Sequence, residues 1–177
     1  MRLPKIGQVR LKQHRSVPEE YRLKSVTVSQ APSGKYYVSI VFEYEDQVQE
    51  KKLQKFLGLD FSMRELYRDN NGKEPAYPGY YRNAEKKLAR EQRKLSKMQK
   101  GSNNRNKQRL KVAKLHEKVS NQRKDFLHKQ SRQITNAYDC VCIEDLDMKA
   151  MSRSLNFGKS VLNNGWGMFT QGHLAIR

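Results

Sequence analysis

Two carboxylates stand at the ends of two short apolar stretches of this sequence. Asp60 ends the run 55–60, and Glu144 ends the run 139–144. A carboxylate is costly to bury where a strand pattern calls for an apolar residue, so such an acid usually has a partner or a task. Carboxylate oxygens are preferred ligands of Mg²⁺, and metal ions held in this way catalyse phosphodiester cleavage. The two acids therefore predict a metal-dependent site for cutting phosphodiesters.

Neither acid is a specific signal when it is taken alone. An Asp at a strand end is often a turn or cap residue, and Glu144 is followed by Asp145, as at a solvated strand end. Alternation along the strand places Glu144 on the face of Cys140 and Cys142, which makes Glu144 the better candidate of the two neighbouring acids. Two acids hold one ion loosely, and no remaining acid lies on a third strand after Glu144.

The elements that must position these acids follow from the hydrophobic pattern. Apolar runs at 56–61 and 138–144 predict two strands that pair in parallel across a helical crossover, and 64–68 is predicted to pair with the first of them. Before them, 23–28 and 35–44 alternate on either side of a turn at 31–34, which predicts a β-hairpin. Helices are predicted at about 81–98 and then to 137, followed by a short helix capped by Asp147. This order indicates an α/β fold.

The predicted helical hairpin, residues 81–137, concentrates positive charge. It carries eighteen Lys and Arg against four acids, a net of +14 within a chain whose net charge is +18. A solvated helix face normally mixes both signs, whereas like charges on adjacent turns repel one another until a polyanion binds. The hairpin is therefore predicted to contact nucleic-acid phosphates, without reading base sequence. The candidate contacts are Arg82, Lys86, Arg90, Arg93, Lys97, Arg105, Arg109, Lys114, Arg123 and Lys124.

Composition narrows the class of protein. Of the 177 residues, 31% are charged and 36% hydrophobic, which implies a large solvated or partner-facing surface. No apolar run approaches the roughly 18 residues that span a bilayer, so no membrane partner is expected, and two cysteines that cannot bridge indicate a reduced, cytoplasmic protein. Cys140 and Cys142 are too close along one strand to bridge, and are predicted to be buried free thiols. A zinc half-site is the alternative for this pair, but the chain has no second cysteine pair, so no zinc is expected.

Several runs resemble one family when their order and spacing are compared. The runs 57–62, 81–96, 121–129 and 143–149 resemble the TnpB (OrfB) proteins of bacterial insertion sequences, and the likeness extends from Leu3 to about Thr170. The resemblance implies an RNase H-like (RuvC) fold and RNA-guided cleavage of DNA with magnesium. DNA and a guide RNA are the implied partners, in a prokaryotic nucleoid, with no small-molecule substrate. Asp60 matches the family's first catalytic Asp, and Glu144 its catalytic Glu.

The sequence also departs from the family pattern. The family's first barrel strands and helical insert would precede Met1, and its zinc ribbon and third catalytic Asp would follow Thr170. We therefore expect a fragment that binds nucleic acid and whose cleavage is lost or very weak. The expected domains are residual strands of a wedge-type β-barrel (1–52), a partial RuvC domain (53–170) carrying the hairpin, and an unrelated tail (171–177). The alternative is a non-catalytic, basic helical RNA-binding or regulatory protein.

Overall fold

The chain folds as two compact units. The computed structural model describes residues 2–3, 5–13, 16–45, 52–154 and 164–172. One unit comprises 1–31 and 35–49, and the other comprises 32–34 and 50–177. The last five residues of the predicted tail, 173–177, lie outside the described residues, as do 46–51 at the end of the predicted barrel remnant. The domain boundaries expected from the sequence stay a prediction.

The first unit is built from antiparallel pairs. Strands β1 (Arg2–Leu3) and β2 (Gly7–Gln8) form a short pair, and β3 (Arg22–Gln30) and β4 (Tyr36–Glu43) form a long hairpin. The predicted hairpin is therefore confirmed, with Val26 opposite Ile40 and Val28 opposite Val38. Tyr21 stacks on Tyr44 beside it, with ring centroids 4.5 Å apart. Assignment of these strands to a barrel stays a prediction.

The second unit contains a three-stranded sheet with the order β6-β5-β7. Its strands are β5 (Phe56–Phe61), β6 (Tyr67–Asp69) and β7 (Cys140–Ile143). The β5 and β7 strands are parallel, as predicted, and β6 pairs with β5 in the antiparallel sense. A parallel pair needs a long crossover, which the helical hairpin supplies. The α/β class is therefore confirmed.

Two predicted strand boundaries are wrong. The strand expected at 64–68 begins at Tyr67, because Ser62 Oγ accepts the backbone N–H of Glu65 at 3.2 Å and forms a turn there. The strand expected from Tyr138 begins two residues later, because the Tyr138 N–H donates to the Ile134 carbonyl and ends the preceding helix. These local hydrogen bonds compete with the sheet ladder, and alternation alone does not reveal them.

The crossover consists of helices α1 (Tyr80–Ser96) and α2 (Asn103–Ala137), close to their predicted bounds. Gly101 lies between them at φ +84°, a conformation that favours glycine, and Ser102 caps α2 by accepting the Arg105 N–H at 3.2 Å. Leu88, Val112 and Val119 are buried along the seam, as their spacing predicts. The chain then forms α3 (Met148–Ser154) and α4 (Trp166–Gly172).

The core of the second unit lies on one face of the sheet. Leu57 and Leu59 point from β5 towards α2 and α4, which contribute the fully buried Leu127, Trp166 and Phe169. Phe126 of α2 is partly buried against this core, and its neighbour Leu127 is fully buried. Burial raises the pKa of Tyr67 in this core to about 12, with a smaller contribution from nearby Asp69. In the described part of the chain, no helix is long and apolar enough to cross a membrane.

Candidate nucleic-acid interface and carboxylate pair

The sheet register brings the two predicted catalytic acids to the same edge. Leu59 and Ile143 are the last paired residues of the parallel ladder, and Asp60 and Glu144 directly follow them. Residues at matching positions of parallel strands share a face, and neighbouring strands are about 4.8 Å apart. Asp60 and Glu144 therefore project from adjacent positions on one face of the sheet.

That face is open to solvent. Alternation turns Leu57 and Leu59 into the core and leaves Asp60 on the outer face, where it is exposed, as is Glu144. Asp60 therefore avoids the cost of burying a carboxylate. Arg68 lies in register with Asp60 on the other neighbouring strand, and its guanidinium pairs with Glu74.

A small cleft adjoins the second acid. Its volume is about 200 Å³, and Glu144 lines it together with Met148, Trp166 and Thr170. The loop at this edge is fixed by Asp147, whose Oδ1 accepts the N–H groups of Lys149 and Ala150 at 2.9 and 3.0 Å. These hydrogen bonds lower the pKa of the Asp147 carboxyl. The predicted cap of α3 is confirmed, and it fixes the turn that follows Glu144.

Asp60 and Glu144 are the residues of this edge that could hold a divalent cation. Two exposed carboxylates on adjacent strands offer oxygen ligands and leave room for the waters that Mg²⁺ retains. Among the described residues, no cluster of three or more His, Cys, Asp or Glu is placed to hold a metal.

The two cysteines differ from the prediction. Cys140 is partly exposed and Cys142 is exposed, so they are not buried thiols. Both alternate along β7 with Val141, which packs against the core, so both lie on the opposite face of the strand. Desolvation and the neighbouring Cys142 thiol raise the pKa of Cys140, which keeps it protonated at neutral pH.

The predicted nucleic-acid contacts occupy distinct positions on the hairpin. Four candidates lie on α1 and a fifth, Lys97, is its C-cap; they recur every three or four residues and form one exposed stripe: Arg82, Lys86, Arg90, Arg93 and Lys97. On α2, Arg109, Lys114 and Lys124 are exposed, whereas Arg105 and Arg123 are partly buried. An Arg123 Nη lies 3.5 Å from the position that a Cβ on Gly165 would take, so this guanidinium packs against the residue preceding α4.

Sequence reasoning missed most of a second basic stripe on α2. Lys114 was among the predicted contacts, and the other exposed members of the stripe were not: Lys107, Lys111, Lys118, Lys129 and Arg132. Most are three or four positions apart, and this periodicity was visible in the sequence. Asp125 interrupts the stripe and pairs with Lys129 at 2.7 Å, a contact that raises the pKa of Lys129.

Glu91 was counted only as a charge, although it is the most deeply buried acid of the hairpin. Its side chain is 2% exposed and accepts a hydrogen bond from Gln108 Nε2 at 2.8 Å. That hydrogen bond and the one from Lys111 lower the pKa of Glu91 to about 2. No motif marks this residue, because the pattern around it is that of a charged helix face.

Comparison with known proteins gives one consistent result. Residues 39–155 match the family OrfB_IS605, described as a probable transposase. An Escherichia coli (strain K12) protein, InsQ, named as a candidate RNA-guided DNA endonuclease, is 34% identical over 179 aligned positions, covering 93% of this chain and 44% of its own length. A Streptomyces pristinaespiralis protein with a similar name is 30% identical over 152 positions, covering 86% of this chain and 38% of its own length. The chain thus spans less than half the length of either relative.

Proposed function

We propose that this chain, which belongs to the OrfB_IS605 family of transposases, binds nucleic acid through its helical hairpin. In this proposal the sheet of the second unit is a partial RuvC sheet of a TnpB-type, RNA-guided DNA endonuclease. DNA and a guide RNA are the proposed partners, in the bacterial cytoplasm. The names of both relatives support this assignment, although this chain spans less than half of either one.

One observation carries the proposal: the exposed basic stripes on both helices of the hairpin. Each stripe follows one helix face, and few acids offset it along residues 81–137. A rise of 1.5 Å per residue makes a 35-residue helix about 50 Å long, longer than one turn of a duplex. Such a surface can contact successive phosphates along a nucleic acid, and each contact releases counterions.

The carboxylate pair gives this surface its proposed chemistry. Asp60 and Glu144 are the proposed ligands of a magnesium ion, which would supply Lewis-acid stabilisation of the charge that develops on a phosphodiester. Their positions on paired strands hold the two carboxylates side by side, and the Asp147 cap fixes the turn beyond Glu144. Two carboxylates hold a divalent cation loosely, so we propose that this chain cleaves DNA slowly or not at all.

Binding is tested by titrating the chain into a labelled RNA or DNA duplex of mixed sequence over a series of salt concentrations. We expect the logarithm of the affinity to fall linearly with the logarithm of salt, with a slope of roughly −0.9 per phosphate contacted on duplex DNA. Replacing two exposed stripe residues, Lys114 and Lys118, by Gln should make this dependence on salt less steep. An affinity that does not change with salt would contradict the proposal.

A specific observation keeps the alternative open. Asp60 and Glu144 are exposed, so a non-catalytic RNA-binding or regulatory protein could carry both without using them. The two functions differ in a cleavage assay with magnesium, a guide RNA and a matching DNA target. Guide-directed cuts that disappear in Asp60→Ala would establish a catalytic chain, whereas identical RNA binding without cuts in both proteins supports the non-catalytic alternative.

A further inference from the structure

The hairpin contains one acid whose environment differs from that of the others. Glu91 has an almost fully buried side chain, whereas Glu85 and Glu117 are partly exposed and Asp125 is exposed. Burying a carboxylate in the seam of a helical hairpin is unfavourable unless donors and cations surround it. The seam would pack more simply around an apolar residue, so the donors around Glu91 need an explanation.

The two carboxylate oxygens of Glu91 contact side chains of different helices. Oε2 accepts from Gln108 Nε2 at 2.8 Å and from Lys111 Nζ at 3.0 Å, both on α2. Oε1 lies 3.5 Å from Arg90 Nε and 3.9 Å from Lys94 Nζ, both on α1. The Gln108 amide also donates to the backbone carbonyl of Glu91 at 3.0 Å. The Glu91 carboxylate thus lies within 4 Å of three cationic side chains that come from two helices.

These three cations remain available to a ligand. The side chains of Arg90, Lys94 and Lys111 are 65%, 56% and 54% exposed, so each has donors directed to solvent. The cluster carries three positive charges and one negative charge. Without the carboxylate, three like charges at this separation would repel one another and their long side chains would sample many rotamers.

We propose that Glu91 is a positioning residue that holds Arg90, Lys94 and Lys111 together as a preformed phosphate-binding cluster. The proposal rests on the proposed function, since it takes the hairpin to be the nucleic-acid surface. Fixing the cations before binding removes part of the entropy cost of ordering long side chains at the interface. The ligand class is a phosphodiester backbone, in which each oxyanion accepts charge-assisted hydrogen bonds.

Two explanations predict opposite results for Glu91→Gln. In one, only the net charge of the hairpin matters; in the other, Glu91 positions the three cations. The substitution adds one unit of positive charge to the hairpin, so electrostatic attraction alone predicts tighter binding of a polyanion. Positioning predicts weaker binding, because a neutral amide no longer holds the three cations. Glu85→Gln is the matched control, with the same charge change on the same helix, outside the contacts of Glu91.

The experiment measures the dissociation constant of a labelled mixed-sequence DNA duplex for the whole chain and both variants, with folding checked by circular dichroism. We expect Glu91→Gln to bind roughly three- to tenfold more weakly than the unaltered chain, which corresponds to about one released side chain. We expect Glu85→Gln to bind as tightly or more tightly. If folded Glu91→Gln binds as well as Glu85→Gln does, the inference is overturned and Glu91 acts only in helix packing.

A second comparison keeps the test decisive if Glu91→Gln does not fold. Lys94→Gln removes a cluster member, and Lys86→Gln removes an exposed lysine of the same helix outside the cluster. We expect Lys94→Gln to weaken binding several-fold more than Lys86→Gln, and equal losses would reject the cluster. If the unaltered chain shows no salt-dependent binding, the proposed function fails as well, an outcome distinct from equal behaviour of the variants.

Discussion

The Asp139 carboxylate accepts the backbone N–H of Lys55 at 3.1 Å, and this contact joins the start of β7 to the start of β5. The same Oδ2 accepts the Gln54 N–H at 3.2 Å, while the Lys55 carbonyl accepts the N–H groups of Asp139 and Cys140. Because a parallel ladder advances one residue at a time, fixing its first pair fixes its last. The register that sets Asp60 beside Glu144 is therefore determined five residues earlier, by a polar side chain.

Asp139→Ala should destabilise the second unit by about 1–2 kcal/mol, because two backbone N–H groups lose a charged acceptor. Equilibrium urea unfolding measures this change in the free energy of unfolding. Asp145→Ala is the control, since it removes an exposed acid from the same segment. Equal stability of the two variants would show that the ladder itself, and not Asp139, sets the register.

The sequence predicted the elements well because their causes are periodic. The parallel pairing of β5 with β7, the two long helices and the β3–β4 hairpin all follow from repeated apolar spacing and turn residues. It did not predict Asp139 as an acceptor or Glu91 as a buried acid, because each role depends on a partner far away in the sequence. Gln108 is 17 residues from Glu91, and Lys55 is 84 residues from Asp139.

The candidate site was predicted in part, because the pairing of two parallel strands follows from the apolar pattern. Matching ends of parallel strands meet at one edge of a sheet, so two apolar runs that end in acids indicated that Asp60 and Glu144 are neighbours. The exposure of these two acids was not predicted. Which face of a three-stranded sheet is covered depends on where α2 and α4 pack, and strand alternation alone does not specify it.

Phe169→Ala should cost about 3–5 kcal/mol of the free energy of unfolding, because a fully buried aromatic ring is lost and leaves a cavity. The Phe169 ring stacks on Tyr67 with centroids 5.8 Å apart, so the loss also removes an aromatic contact with β6. Met168→Ala is the control on the same helix, since that side chain is 38% exposed. Similar unfolding midpoints for the two variants would contradict the packing of α4 against the sheet.

Glu91 should make the stability of the hairpin depend on pH. Its pKa falls from an ordinary value of 4.5 to about 2 in the folded chain, because Gln108 and Lys111 hydrogen-bond to the ionised form. A folded-state pKa below the unfolded one gives stability that is present above about pH 4.5 and is lost as the pH falls towards 2. Urea midpoints measured from neutral pH downwards should therefore fall more steeply for the unaltered chain than for Glu91→Gln. Parallel curves would contradict the contacts that surround Glu91.

Neutralising the carboxylate pair should separate metal binding from folding. Both side chains are exposed, so the double variant Asp60→Asn with Glu144→Gln should unfold within about 0.5 kcal/mol of the unaltered chain in metal-free buffer. Magnesium should raise the melting temperature of the unaltered chain and leave the double variant unchanged, because a cation that binds only the folded state stabilises it. An equal magnesium effect on both proteins would place the cation elsewhere. Glu19→Gln with Glu20→Gln, which removes two exposed acids of the first unit, provides the charge-matched control.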